Sequence, residues 1–395
     1  MTNNKKFIIE DKFVFWTGLI YFAVMLCFVV LKILNYNGLL AWLKFDWAYS
    51  AIIQIGIMFF LPLLLYKFCF KQSWKSTAEF FSFRAISFKS VVYSILLGIC
   101  VYILVFYTSN LWTSILMFLG YNPSSLGSSS YADATVWTYL LAVFASCVLP
   151  GVCEETSHRG LLFGSLKNYG VKRAILISAL LFGLMHFNII QFGYAFIVGI
   201  ILAFLTVTTK SIFPAMIVHF MNNFISTTTS YVVANNWLGS DIIMAMDKFF
   251  TEGNFIVTAL VSMLILFAAI SLGSYLIIKL FGESKIGQFK KFKRNLQKEV
   301  KGTPLEEEID FNNPKEVFAI YQQTSILNMQ QELQEEKIDM VHLMKNLENK
   351  GPIDILLADS VKTIKPVHKL DNIFIYCAIF LGAVGTFLSY FWGVL

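Results

Sequence analysis

Charged residues are scarce in this chain of 395 residues: only 14% are Asp, Glu, Lys or Arg, whereas about a quarter is usual in soluble domains. Hydrophobic residues make up 57%, and the mean hydropathy is +0.65. The shortage of charge excludes an ordinary soluble domain. The apolar runs are long enough to cross a hydrocarbon layer of about 30 Å. They predict an all-α, polytopic membrane helix bundle, because a helix satisfies its own backbone polar groups in lipid.

A cysteine framework and a cleavable leader are also missing. The six cysteines show no regular spacing, which predicts neither a disulfide scaffold nor a cysteine-bound zinc site. Cys153, beside Glu154, is interpreted as a small packing residue rather than a nucleophile. The first apolar run, 14–34, is too long for a signal peptide and lacks a small-residue cleavage site. We therefore expect it to remain as a helix.

About nine apolar segments are expected to form transmembrane helices. Lysine and arginine concentrate in the connections after the second, fourth and eighth segments, and the alternate connections are nearly free of them. The positive-inside rule therefore predicts a cytoplasmic N-terminus and an extracytoplasmic C-terminus. The predicted segments are 14–34, 48–70, 91–119, 136–166, 174–190, 192–209, 211–232, 254–281 and 373–395.

Two adjacent carboxylates, Glu154 and Glu155, lie within the fourth apolar segment, and Arg159 follows. A charge at the centre of a membrane helix costs about 2.5–3.5 kcal/mol on insertion scales, so such residues usually have a function. Glu155 and Arg159 are spaced i, i+4 and can pair on one helix face. This leaves Glu154, about 100° round the helix, available to face a cavity.

Two histidines and an asparagine lie at a similar depth on other segments. At about 1.5 Å per residue from the nearest basic residue at the cytoplasmic side, Glu154, His186 and Asn223 are about 20 Å deep and His219 is about 14 Å deep. His219 and Asn223 are spaced i, i+4 and point the same way. Three helices thus bring polar side chains to one level, which predicts a shared pocket.

These residue types suit hydrolysis of an amide. A desolvated glutamate can take a proton from water, and a neutral histidine or an asparagine can donate to the developing oxyanion. Alternatively, Glu154, His186 and His219 can ligate Zn²⁺ with water in the fourth position. The simpler interpretation is a structural ion pair with hydrogen-bonded packing histidines. His158, between the acids and Arg159, is interpreted as a bystander.

The motifs resemble those of the CPBP family (CAAX protease and bacteriocin-processing, also called Abi) of intramembrane endopeptidases. Its patterns Glu-Glu-x-x-x-Arg, Phe-x-x-x-His and His-x-x-x-Asn/Asp stand here, in order, as 154–159, 182–186 and 219–223. The resemblance implies that Glu154 activates water and that Glu155 and Arg159 support the site. It also implies that His186, His219 and Asn223 bind the oxyanion or, on a metalloprotease view, help to hold zinc. No cofactor is required on the glutamate view.

The expected function is therefore cleavage of a membrane-associated or small peptide. The expected partners are a lipid bilayer and a peptide or membrane-protein substrate, without nucleic acid. Residue usage typical of an AT-rich bacterium points to a bacterial plasma membrane and argues against a prenylated substrate. Two alternatives stay open. One is a non-catalytic scaffold or bacteriocin self-immunity protein. The other is a transporter or proton relay, which the lack of an inverted repeat disfavours.

The region 282–371 differs from the rest, with a basic run at Lys285–Lys301 and a predicted amphipathic helix within Pro314–Lys350. We interpret it as a small cytoplasmic helical segment, with partner docking as the alternative. Upstream, Trp74–Phe88 is predicted to lie at the membrane interface. The predicted regions are 1–135 with N-terminal helices and the interfacial segment, 136–232 as the catalytic core, 233–281 as an extracytoplasmic loop and helix, 282–371, and 372–395 as a final transmembrane helix.

Overall fold

The computed structural model describes residues 13–36, 39, 50–123, 134–167, 170–301, 309–311, 313, 316–317, 319–321 and 372–394. In these residues the regular structure is helical, and no strand occurs. The principal helices are α1 Phe13–Tyr36, α2 Ile52–Cys69, α3 Trp74–Phe80, α4 Phe88–Phe118, α5 Val136–Leu166, α6 Val171–Leu184, α7 Ile189–Thr209, α8 Phe213–Ala234, α9 Ser240–Glu252, α10 Phe255–Glu299 and α11 Ile373–Val394. The predicted polytopic helical membrane bundle is confirmed.

Seven of the described helices, rather than nine, are long and apolar enough to cross a membrane. The two that differ from the prediction are α6, which has only 14 residues, and α8. Helix α8 has 22 residues, but polar side chains such as His219 and Asn222 interrupt its apolar character. Both helices nevertheless pack inside the bundle, α6 against α7 and α8 against α4 and α5.

Helix α10 runs without a break through the predicted boundary at residue 281 and ends at Glu299. The predicted basic segment Lys285–Lys301 is therefore, as far as Glu299, a continuation of the membrane helix. The amphipathic helix predicted within Pro314–Lys350 lies largely outside the described residues.

The predicted interfacial segment Trp74–Phe88 is only partly at the surface. Trp74 and Phe88 are 60% and 81% exposed, but Phe81 is completely buried. The Phe81 ring lies against Gly160 of α5, where a Cβ atom would come within 2.4 Å of it. Because glycine leaves room for this ring, the segment is anchored in the bundle next to the Glu154–Arg159 motif.

Candidate active site

Helix α5 carries the Glu154–Arg159 motif through an irregular stretch. Leu149–Glu155 is α-helical, whereas the flanking Phe144–Val148 and Thr156–Leu162 are π-helical turns, in which backbone bonds reach five residues back. Such turns are rare and frequently occur at functional sites. Pro150, which lacks an N–H, lies at the start of the α-helical stretch. The glutamates thus adjoin a widened turn rather than a uniform helix.

Glu155 is fully buried and accepts two hydrogen bonds with one oxygen. Its Oε1 accepts from Nη1 of Arg159 at 2.8 Å and from Nδ1 of His219 at 2.9 Å. Arg159 also donates through Nη2 to the carbonyl of Gly199 at 3.0 Å, and its guanidinium lies 4.3 Å from the centre of the Phe182 ring. The i, i+4 pair expected from the sequence is present. This network joins α5 to α6, α7 and α8.

Glu154 has a different partner. Its Oε1 accepts a hydrogen bond from Nε2 of Gln54 at 2.7 Å, and both side chains are buried, 6% and 8% exposed. Gln54 lies in the π-helical first half of α2. It is not among the residues expected from the sequence, although a single amide in the apolar run Ile52–Cys69 is itself a signal. Gln54 fixes one carboxylate oxygen and leaves the other available for chemistry.

The hydrogen bonds of the two histidines define their neutral forms. Nδ1 of His186 lies 2.8 Å from the carbonyl oxygen of Phe182, and Nδ1 of His219 lies 2.9 Å from the carboxylate of Glu155. Because both partners are acceptors, each Nδ1 carries the hydrogen. The neutral rings then present Nε2 as an acceptor, and only a protonated ring donates from that atom. From the sequence, a neutral histidine is considered as a hydrogen-bond donor to the oxyanion. With this tautomer, the neutral ring offers an acceptor at Nε2 instead.

His158 lies behind the motif rather than in the site. Its Nδ1 bonds to the carbonyl oxygen of Glu154 at 2.9 Å, and its Nε2 lies 2.9 Å from the hydroxyl of Tyr21 on α1. It is completely buried and does not line the cavity that Glu154 faces. Its contacts fix the backbone of α5 at Glu154.

Phe182, the first residue of the second motif, organises the imidazoles. Its ring meets those of His158, His186 and His219 edge-on, at centroid separations of 5.2, 5.4 and 5.4 Å. No role for Phe182 is predicted from the sequence beyond its place in the motif. Since it also lies under Arg159, it sets the spacing between the charged network and the histidines.

A cavity of about 530 Å³ brings together Glu154, His186, His219 and Asn223. Asn222 also lines it, is 8% exposed, and was not expected. The Nδ2 of Asn222 donates to Oδ1 of Asn223 at 3.2 Å, so one N–H of Asn222 is committed. Glu155 and Arg159 do not line the cavity. The structure therefore brings four of the six predicted catalytic residues to one surface and places the other two behind them.

A zinc ion is the cofactor that the resemblance raises. Among the described residues, no group of three or more His, Cys, Asp or Glu side chains is spaced to hold a metal ion. Glu154, His186 and His219 share the cavity but do not form such a group. The residues as placed do not fit a zinc site.

The fold and this site define a polytopic helical membrane protein with a buried polar centre. Residues 136–225 match the family model described as type II CAAX prenyl endopeptidase Rce1-like. The match contains all three motifs and supports the CPBP/CAAX protease family, and with it a CAAX-type intramembrane protease in general. No curated protein and no solved structure matches the chain.

Proposed function

We propose that the chain is an intramembrane endopeptidase in which Glu154 activates the water that hydrolyses a peptide bond. The observation that carries the proposal is the single cavity lined by Glu154, His186, His219 and Asn223. These side chains come from α5, from the turn that follows α6 and from α8. These elements are separated in sequence, and a packing role does not require the side chains to share one surface.

Buried polar atoms around the site are suited to bind water. Four of these atoms have no hydrogen-bond partner among the described residues, although buried polar atoms are normally paired. The four are Oε1 of Gln54, Oε2 of Glu155, Nε of Arg159 and Oδ1 of Asn222. Their concentration around Glu154 supports a hydrated centre within the bundle.

The proposed reaction uses the side chains of this chain alone. Glu154 takes a proton from water while the water oxygen attacks the scissile carbonyl carbon. The remaining N–H groups of Asn222 and Asn223 donate to the oxyanion that forms. When the C–N bond breaks, Glu154 returns the proton to the leaving amine. His186 and His219 accept hydrogen bonds from water through Nε2, or donate once they are protonated.

Two further groups position the reacting residues. The amide of Gln54 orients the Glu154 carboxylate through the 2.7 Å hydrogen bond. Glu155 holds the ring of His219, and Arg159 balances the charge of Glu155. A carboxylate behind a histidine fixes its tautomer and its orientation. Neither Glu155 nor Arg159 needs to touch the substrate in this scheme.

The proposed substrate is a membrane-associated or small peptide, and the proposed location is a bacterial plasma membrane with a cytoplasmic N-terminus.

The test compares cells that produce the wild type, Glu154→Gln or Glu252→Gln. Peptides from their membranes and medium are measured by quantitative mass spectrometry. Glu252 is an exposed control glutamate. Peptides that depend on the wild type are then synthesised and incubated with each protein in proteoliposomes.

We expect cleavage by the wild type and Glu252→Gln, with at least a hundredfold loss in Glu154→Gln, because general-base catalysis contributes about 10²–10⁴-fold. A chelator is expected to leave cleavage unchanged. Loss that added Zn²⁺ restores would instead assign the metal route. Undiminished cleavage by Glu154→Gln would refute the proposal. A cellular phenotype that survives both Glu154→Gln and His186→Ala would favour the scaffold or immunity role.

A further inference from the structure

The active-site cavity extends in one direction along the bundle. The end of the bundle that carries the lysine- and arginine-rich connections is called the basic end. Helix α4 begins there, beside Lys89, and its cavity-lining residues run from Tyr102 to Asn110. At about 1.5 Å per residue, these two residues lie about 20 Å and about 32 Å from Lys89. The cavity therefore occupies the half of α4 that is remote from the basic connections.

The antiparallel helices α7 and α8 give the same result. Both adjoin Lys210, since α7 ends there and α8 begins shortly after it. On α8 the lining residues run from His219 to Thr227, about 14 to 26 Å from Lys210. On α7 they run from Val198 to Gln191, about 18 to 28 Å from Lys210. The level of Glu154 and His219, called the catalytic level, is thus the end of the cavity nearest the basic end, and it is called the inner end.

Packed apolar side chains separate the catalytic level from the basic end. Every residue of α5 between Arg159 and Lys167 is buried. Phe81 lies against Gly160 and closes this side further. The apolar side chains in this part of α5 are 5% exposed or less, and they are Leu161, Leu162, Phe163 and Leu166. They leave no polar route from Glu154 to the basic end along this helix.

Exposure of the lining residues rises in the opposite direction. Glu154 and His219 are 6% and 4% exposed at the inner end. Asn110, Ser146 and Ser226 line the cavity farther from the basic end and are exposed. Hydroxyl and amide groups thus connect the catalytic level with the end of the bundle that has few cations.

We infer that the substrate reaches Glu154 from the end of the bundle opposite to the basic connections, which the positive-inside rule makes the extracytoplasmic side. This inference rests on the proposed function. Glu154 is the only carboxylate among the described lining residues, and no lysine or arginine is among them. The remaining hydroxyls, amides and aromatic rings suit an uncharged, extended peptide segment, whose backbone groups they can bond. The substrate class is therefore a peptide segment presented on the outer side of the membrane.

Two alanines on α7 provide a matched test. Ala195 lines the cavity and is 2% exposed, whereas Ala203 is completely buried two turns nearer the basic end and does not line it. Each is replaced by cysteine, and the protein is treated with a charged, membrane-impermeant methanethiosulfonate in right-side-out and in inside-out membrane vesicles. The unmodified chain gives the background from its six cysteines. Ser109→Cys, which replaces one small polar side chain with another, repeats the test on α4.

We expect Ala195→Cys and Ser109→Cys to react at least tenfold faster in right-side-out vesicles, and Ala203→Cys to stay at background in both. Faster reaction in inside-out vesicles, or no reaction of either lining cysteine from outside, would overturn the inference. Labelling does not require catalysis. If the proposed function were wrong, Glu154→Gln would cleave peptides as fast as the wild type. That result is independent of the labelling, so the two failures are distinguishable.

Discussion

The buried Glu155–Arg159 pair predicts a strong, non-additive effect on stability. Arg159 is 1% exposed and Glu155 is fully buried, so removing either partner leaves a charge without its counter-charge in a medium that solvates it poorly. Such single changes cost about 3–5 kcal/mol in the free energy of unfolding. When both partners are neutralised together, no buried charge is left without its partner. We therefore expect Glu155→Gln with Arg159→Met to cost no more than either single change, a coupling of about 3 kcal/mol.

The measurement is the free energy of unfolding in detergent micelles for the wild type, both single variants and the double variant. Lys248 and Glu252 provide the control cycle, because this pair has the same i, i+4 spacing but is 73% and 68% exposed, with 3.8 Å between the charged atoms. Its coupling is expected to be about 0.5 kcal/mol or less. If the losses in the free energy of unfolding at Glu155 and Arg159 were additive, as in the control cycle, the two side chains would not stabilise each other.

Three further predictions concern single side chains. Gln54→Leu is expected to lower kcat for peptide cleavage about 10- to 100-fold with little change in KM, because it removes a hydrogen bond to a charged group that orients Glu154; an unchanged kcat would contradict the positioning role. Gly199→Ala brings a Cβ to 2.8 Å from the facing backbone of α6 and is expected to lower the free energy of unfolding by about 1–3 kcal/mol. Gly282 has open space around it, so Gly282→Ala is expected to leave the free energy of unfolding unchanged or to raise it. Equal effects of the two substitutions would show that the close packing of α7 on α6 does not require glycine at 199. Burial lowers the pKa of Lys167 to about 8, helped by two nearby cations. Between pH 8 and 10.5 the unfolded chain keeps that proton and the folded chain has lost it, so stability rises over this window by up to about 3 kcal/mol; Lys167→Met is expected to abolish the rise in a pH series of unfolding measurements.

Much of the site could be predicted because helices impose a fixed geometry. The i, i+4 spacing placed Glu155 beside Arg159, and counting along straight helices placed His186 and His219 at the level of Glu154. The cavity contains Glu154 and both histidines. Depth counting succeeds here because short connections, such as the one at Lys210, keep neighbouring helices antiparallel and in register.

The residues that were not predicted depend on contacts between helices. The lone amide in α2 marks Gln54 as unusual, but nothing in the local sequence indicates that its partner is Glu154, since this depends on how α2 packs on α5 and on its π-helical turns. The burial of Phe81 likewise depends on Gly160, which is distant in sequence. The number of spanning helices differs for two reasons: α6 has only 14 residues, and the polar side chains that lower the apolar character of α8 include residues that line the cavity, such as His219.

Part of the site lies outside the residues that match the family model. Residues 136–225 supply Glu154 and the imidazoles, but Gln54 and the cavity wall Tyr102–Asn110 come from α2 and α4. The matched residues alone would leave one oxygen of Glu154 without its donor and one side of the cavity without a wall. The proposed chemistry therefore depends on the shared motifs and on Gln54, whereas the shape and polarity of the substrate path depend on the N-terminal helices. If that is correct, substitutions at Ser109 or Asn110 will alter which peptides are cleaved without abolishing the Glu154-dependent reaction. Uniform loss across all peptides would instead assign α4 to catalysis itself.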